Sequence, residues 1–377
     1  MKIILIFSNI RFAIARLIAT SDPVGFILTS IKAVMKSLSI LTQALTCAGV
    51  LCGAQAYAAG EVNIYTTREP KLIQPILDNF TKETGIKTNT VFMKDGLAER
   101  VKSEGERSPA DLLMMVDYGN LIDLVNAGIT QPVQSDALNQ AIPASLRDPG
   151  NQWFALSTRA RVLYAAKDLN LDKFTYEELA DPKWKGKVCI RSGQHPYNTS
   201  LFAAIIAHDG AEKAQAWLKG VKANLGRKAA GGDRDVAKDI LGGICDIGIA
   251  NSYYVGQMRN AKPDSDQYKW GNAIKVILPT FAGSKDGGTH VNVSGAAIAK
   301  HSANKDNAVK LLEYLASEKA QSLYASANYE YPVRQGVQLD PTVASFGTLK
   351  ADTLPLAEIA KHRKQASELV DQVGFDQ

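Results

Sequence analysis

Val62-Asn63-Ile64-Tyr65, then the turn Thr66-Thr67-Arg68-Glu69-Pro70, then Leu72, Ile73, Ile76, Leu77 and Phe80 on one apolar stripe set the reading of the chain. The first four residues are a short apolar run with strand-forming side chains. The stripe has the three-and-four spacing of a helix face, and Pro70 sits in the first turn, where its missing N–H costs nothing. Gly85 stops that helix. Lys87–Phe92 reads as a strand, Leu97–Glu104 as a helix, Asp111–Val116 as a strand and Leu121–Asn126 as a helix ending at Gly128. This βαβαβ alternation predicts an α/β fold, a mainly parallel sheet flanked by helices.

A long extended run, Ala160–Lys167, leads to a second module of the same kind. Lys187–Ile190 and Cys245–Ala250 read as strands, with helices at Ser200–His208, Ala211–Lys222 and Asp233–Leu241. Two further strands, Ile274–Leu278 and Val291–Ala299, precede helices at Ala308–Ser317, Glu318–Ala327 and Leu356–Asp371. Two similar modules joined by long strands suggest two hinged lobes around a cleft, because open α/β sheets bind ligands at the carboxyl ends of their strands. The N-terminal lobe is expected over 59–157 plus about 282–332, and the C-terminal lobe over 158–281 plus about 333–377.

With 377 residues, 46% of them hydrophobic and 21% charged, the chain is neither disordered, collagen-like nor a multi-span membrane protein. Its net charge of +5 is concentrated at the start, where Lys2, Arg11, Arg16, Lys32 and Lys36 face only Asp22. The remainder is near neutral, so no nucleic-acid surface is implied and a soluble monomer is expected. Met35-Lys36-Ser37, the apolar Leu38–Gly53 and Ala56-Tyr57-Ala58 follow the order of a secretory signal peptide, 35–58, cut after Ala58 and directing the chain to the periplasm. Residues 1–34 then read as an upstream extension. Beyond the signal only Cys189 and Cys245 remain; export permits a disulfide, buried free thiols are the alternative, and both stay open.

No phosphate-binding loop, nucleophile elbow, HExxH helix, EF-hand loop or dinucleotide fingerprint is present, and the five His have no paired spacing. Two places stand out instead. In Gly248-Ile249-Ala250-Asn251-Ser252-Tyr253-Tyr254-Val255-Gly256 a strand runs out and two Tyr follow, with Asn251-Ser252 as candidate helix caps. In Cys189-Ile190-Arg191-Ser192-Gly193-Gln194-His195-Pro196-Tyr197, Tyr197 again follows a strand and precedes a helix. Met114-Met115 reads as core, Asp117-Tyr118 as a strand end facing the cleft, His195 as part of a turn fixed by Pro196, and Lys361-His362-Arg363-Lys364 as a solvated helix face.

Tyr197 and the pair 56 residues later, in these surroundings, resemble the periplasmic ferric-iron-binding proteins, class II solute-binding proteins of iron ABC importers. So do Ile64-Tyr65-Thr66-Thr67-Arg68-Glu69-Pro70, the run Ser108–Asp117, the run Leu156–Asp168 and the run His290–His301; the likeness spans 61–375. The resemblance implies a non-enzymatic two-lobe receptor that passes Fe3+ to an inner-membrane permease. Tyr197, Tyr253 and Tyr254 would be its metal ligands. Ferric iron is a hard acid that favours anionic oxygen, and three phenolates match its charge. Some family members add a His, sometimes a Tyr, after the first strand; others bind a synergistic anion such as carbonate. Here the loop carries Arg68 and Glu69 and no His, which favours the anion form, with Glu69 a further possible oxygen donor. Arg68 and Arg159 resemble the family's anion-holding arginines, whose planar forks suit carbonate or bicarbonate. Arg161, two residues on, is expected on the opposite strand face. A second reading keeps the fold but takes an organic anion or a small cationic metabolite as cargo, and a third makes the chain a secreted enzyme using Tyr or Arg.

Overall fold

The computed structural model describes residues 60–284 and 287–377. The expected extension, signal peptide and cleavage point lie outside the described residues.

β1 (Glu61–Thr66), α1 (Pro70–Thr84), β2 (Lys87–Phe92), α2 (Leu97–Glu104), β3 (Leu112–Met115) and α3 (Tyr118–Asn126) follow in the order the opening stretch implies. Pro70 opens α1, which buries Ile73, Ile76, Leu77 and Phe80. Gly85 closes it at φ 73°, a left-handed conformation that side chains resist, and its N–H bonds the Thr81 carbonyl. β4 (Thr130–Gln131) and α4 (Asp136–Ala141) lead to the long β5 (Phe154–Ala166). Next come β6 (Val188–Cys189), α5 (Pro196–Asp209), α6 (Ala211–Ala223), α7 (Asp233–Leu241), β7 (Ile247–Asn251), α8 (Tyr253–Arg259), α9 (Asp266–Ala273) and β8 (Ile274–Ile277). β9 (Val291–Ala299), α10 (Lys305–Leu315), α11 (Glu318–Asn328), α12 (Pro341–Ala344), α13 (Leu356–Ala360) and α14 (Arg363–Val373) complete the chain.

The strands pair in the order β2-β1-β3-β9-β5-β7-β6, with β4 also on β9 and β8 also on β5. Parallel ladders join β1 to β2, β1 to β3 and β6 to β7. The long strands enter antiparallel: Phe154–Ala160 of β5 pairs β9, while Arg161–Ala165 pairs β7 and Leu163–Ala166 pairs β8. The sheet is therefore mixed where a mainly parallel one was expected, because β5 and β9 each run back through it. Met114 and Met115 are core, as read.

Two local expectations change. The helix expected over Leu356–Asp371 is two helices with Lys361-His362 between them. Arg363 opens the second and reaches Asp123 Oδ2 at 3.2 Å and Asp117 Oδ1 at 3.8 Å, so the basic run is not simply a solvated face. Asp117 itself caps α3, accepting the Gly119 N–H at 2.8 Å. The open question about the cysteines is resolved: Cys189 and Cys245 form a disulfide.

Candidate metal centre

α5 begins at Pro196, whose fixed φ suits the first helical position. His195 caps it, its Nδ1 accepting the Tyr197 N–H at 3.2 Å. An imidazole nitrogen accepts there only when neutral, and burial, aided by the Arg191 charge, pushes the His195 pKa down to about 4. His195 thus holds the turn that presents Tyr197, its ring edge-on to the phenol at 4.5 Å between centroids. β7 ends at Asn251 and α8 starts at Tyr253, so the Tyr pair stands at the carboxyl end of a strand. Neither expected cap acts as one. Ser252 already has helical backbone angles and makes no side-chain cap bond, and the Asn251 side chain is taken by Arg161, whose Nη1 donates to Asn251 Oδ1 at 3.1 Å.

The Tyr197 and Tyr253 hydroxyl oxygens lie 3.4 Å apart, and the Tyr253 and Tyr254 rings pack at 4.2 Å between centroids. All three tyrosines, with Arg68, Glu69 and Arg159, line one cleft of about 450 Å³, which Lys71, Arg234, Gln257 and Glu330 also border. A roomier cavity of about 680 Å³ lies between Pro143–Leu146 and residues 331–356. It touches none of the candidate residues, and chemistry rather than size decides between the two. Among the described residues no three His, Cys, Asp or Glu side chains gather as a metal site. The donor set of the cleft is phenolic.

Burial raises the Tyr253 pKa well above 10, and the neighbouring Tyr197 and Tyr254 add to the shift while Arg159 opposes it. Tyr254 is raised too, by burial first and by Tyr197 and Asp233 after it. Positive charge surrounds these phenols. The Arg159 guanidinium lies 5.5 Å from the Tyr197 ring centre, Arg191 5.2 Å from it, and Arg234 4.7 Å from that of Tyr254. Arg161 is also on this side, 6.0 Å from the Tyr197 ring centre. The expectation of opposite faces fails because residues two apart along a strand share a face.

Arg159 Nη2 donates to the Val293 carbonyl at 2.9 Å and to that of Val116. Arg68 is more heavily committed: Nη1 donates to Ser294 Oγ and Nη2 to Glu330 Oε1, each at 2.9 Å. Burial works against its charge, but Glu330 holds its pKa above the usual value. The other Glu330 oxygen accepts from the Ser157 hydroxyl. Glu69 sits at the rim, 58% exposed and paired with Lys71 at 2.9 Å. Sequence reasoning missed Glu330, Arg191, Arg234 and Gln257. Nothing local marks them, since Glu330 meets Arg68 across 262 residues.

The model of the bacterial extracellular solute-binding protein family matches residues 65–322. The chain belongs to that family. The Bordetella ferric binding protein is 72% identical, with a TM-score of 0.81 over 84% of this chain and 100% of its own. A Trichodesmium protein solved in complex with iron and citrate is 41% identical, with a TM-score of 0.79 over 84% of this chain and 100% of its own. Iron uptake protein A1 of Synechocystis is 42% identical over 318 residues, 84% of this chain and 87% of the relative. Within the family the chain thus groups with the ferric iron-binding proteins, which are binding proteins and not enzymes, and its fold is the periplasmic binding protein fold.

Proposed function

We propose that the protein is a periplasmic receptor that captures Fe3+ through the phenolates of Tyr197, Tyr253 and Tyr254, together with a synergistic anion, and delivers it to an ABC importer in the inner membrane. The observation that carries this reading is the 3.4 Å approach of the Tyr197 and Tyr253 hydroxyls in a cleft with the Tyr254 ring packed against that of Tyr253. Two phenol oxygens converging from segments 56 residues apart suit a shared hard cation better than they suit each other. The names of the relatives, ferric binding and iron uptake, point the same way.

The anion follows from charge. Arg68, Arg159 and Arg234 border the cleft, and Glu330 is already spent on Arg68. A bare trivalent cation would enter a positive environment, whereas three phenolates and a carbonate- or bicarbonate-sized dianion or monoanion offset both metal and guanidinium charge. Arg159 is the better placed of the two anion-holding candidates, and Arg68 contributes with whatever N–H capacity Glu330 and Ser294 leave. Glu69, exposed at the rim and paired there with Lys71, is a candidate further oxygen donor. Three phenolates leave an octahedral ion short of ligands, and the anion or water fills the rest. We place the two lobes at 59–157 plus about 282–332 and 158–281 plus about 333–377, hinged on β5 and β9, with export by the signal peptide ending at Ala58.

Titration of metal-free protein with ferric iron and bicarbonate tests this. A visible phenolate-to-iron charge-transfer band is expected, saturating at one iron per chain, weakened when bicarbonate is withheld and lost or strongly shifted in Tyr254→Phe. An unchanged band in that variant removes Tyr254 from the site. Ligand binding that survives a strong chelator would instead favour an organic cargo.

A further inference from the structure

The three tyrosines reach the cleft from two separate segments, and one side chain outside the cleft touches both. Arg161, on β5, is 2% exposed. Its Nη2 donates to Oδ1 of Asn198, the residue after Tyr197. Its Nη1 donates to Oδ1 of Asn251, two residues before Tyr253, at 3.1 Å, and to Asp233 Oδ2 at 2.6 Å. Asp233, 1% exposed, fixes the rest of the frame. Its Oδ2 also accepts the backbone N–H of Asn251 at 2.8 Å, and its Oδ1 accepts from Arg191 Nη1 at 3.3 Å. The Asn198 amide is oriented by donating to the carbonyls of Arg191 and Ser192, both at 3.0 Å, which turns its oxygen toward Arg161.

We propose that Arg161, seated on Asp233, is a positioning residue that sets the spacing between Tyr197 and the Tyr253-Tyr254 pair and thereby governs how long the cleft retains iron. This deepens the iron reading and rests on it. A guanidinium is a rigid planar fork, so two amide oxygens held on its two terminal nitrogens have their separation fixed by its width. Each amide is within two residues of a tyrosine, so that separation passes to the phenols. Arg161 does not line the cleft, unlike Arg159; beyond its charge 6.0 Å from the Tyr197 ring centre, which lysine would keep, it acts on the site through Asn198 and Asn251. Lysine would keep the charge but offers a single nitrogen, which cannot span both amides.

The test compares wild type, Arg161→Lys and Asn198→Ala, with Leu218→Ala as a control. Leu218 is buried on α6 and takes no part in the hydrogen bonds of this network, so its truncation lowers stability while leaving the fork intact. Three quantities are read: the thermal midpoint, the wavelength of the phenolate-to-iron band, and the rate of iron loss to excess chelator. Arg161→Lys is expected to shift the band and release iron about 10–100-fold faster, the range for changes just outside a metal's own ligands. Asn198→Ala is expected to move both in the same direction by less, and Leu218→Ala to lower the midpoint with band and release rate unchanged. Wild-type band and release rate in Arg161→Lys overturn the proposal. So does acceleration in Leu218→Ala equal to that in Arg161→Lys at the same loss of thermal midpoint. Should Arg161→Lys fail to fold, wild-type behaviour of Asn198→Ala overturns it. A wild-type protein that develops no phenolate band defeats the iron reading itself, a result distinct from all of these.

Discussion

Tyr253 and Tyr254 must give up their protons to serve a trivalent metal, yet burial raises the pKa of both. Both are therefore neutral in the empty cleft, and each phenolate formed on binding releases one proton. Iron affinity then rises with pH and falls in acid, by up to about two decades per pH unit for these two groups. Chelator competition at pH 6, 7 and 8 checks the sign; a flat profile contradicts it. Tyr253→Phe removes one proposed donor while keeping the ring against Tyr254. Its iron affinity is expected to drop by more than the roughly 10–100-fold typical of residues just outside the ligand shell, with little change in thermal midpoint. His290 supplies a separate titration. It is buried, with Nε2 2.8 Å from Ser200 Oγ, and burial pushes its pKa down to about 3. The unfolded chain takes up that proton near pH 6.5 and the native state does not. Stability from this group is thus complete above about pH 6.5 and is lost progressively as pH falls toward 3. His290→Gln is expected to flatten acid unfolding over that window, measured by circular dichroism. The tyrosines were legible in the sequence because each sits in a short strand-to-helix text of its own. Glu330 and Arg234 were not, because only the folded chain brings them to the cleft.

Among the elements, β6 and β7 lead into the helices that bear the three tyrosines of the proposed site. Their ladder has only two residue pairs, Val188 with Ile247 and Cys189 with Gly248. A slip of one residue would move Tyr197 against Tyr253 by about 3.3 Å, more than a metal site tolerates. The Cys189–Cys245 bridge ties the end of β6 to the residues just before β7, eight residues before Tyr197 and eight before Tyr253. Replacing both cysteines by Ser is expected to cost about 4 kcal/mol through the regained loop entropy of the unfolded chain, read from urea unfolding. A midpoint equal to wild type would show the bridge to be dispensable. Gly248 permits the same close approach, since a Cβ there would overlap the Cys189 carbonyl and Val236. The helix-strand rhythm was readable from apolar spacing alone. The break at Lys361-His362 was not, because the apolar residues on either side keep helical spacing while Arg363 is drawn to Asp117 and Asp123. Nor was the mixed character of the sheet, since strand direction is set by long connections rather than by local pattern.

At the scale of the whole molecule, β5 runs from the strands around β9 to the strands around β7, and buried polar links tie its first half to β1 and β9. Arg68 follows β1, Ser294 lies on β9, Ser157 on β5 and Glu330 after α11, yet all four form one network. Glu330→Ala would leave Arg68 buried without its partner, and a loss of about 3–5 kcal/mol is expected by denaturant titration. Iron, binding only the folded chain, is expected to stabilise it by about 4 kcal/mol at a free concentration a thousand times the dissociation constant. Resonance Raman spectroscopy of the iron-loaded protein, excited within its visible band, tests the phenolate claim most directly. Enhanced ring modes of metal-bound tyrosinate are expected, diminishing when Tyr197, Tyr253 or Tyr254 is changed to Phe. Ferric iron held in stoichiometric amount with no tyrosinate modes would contradict it.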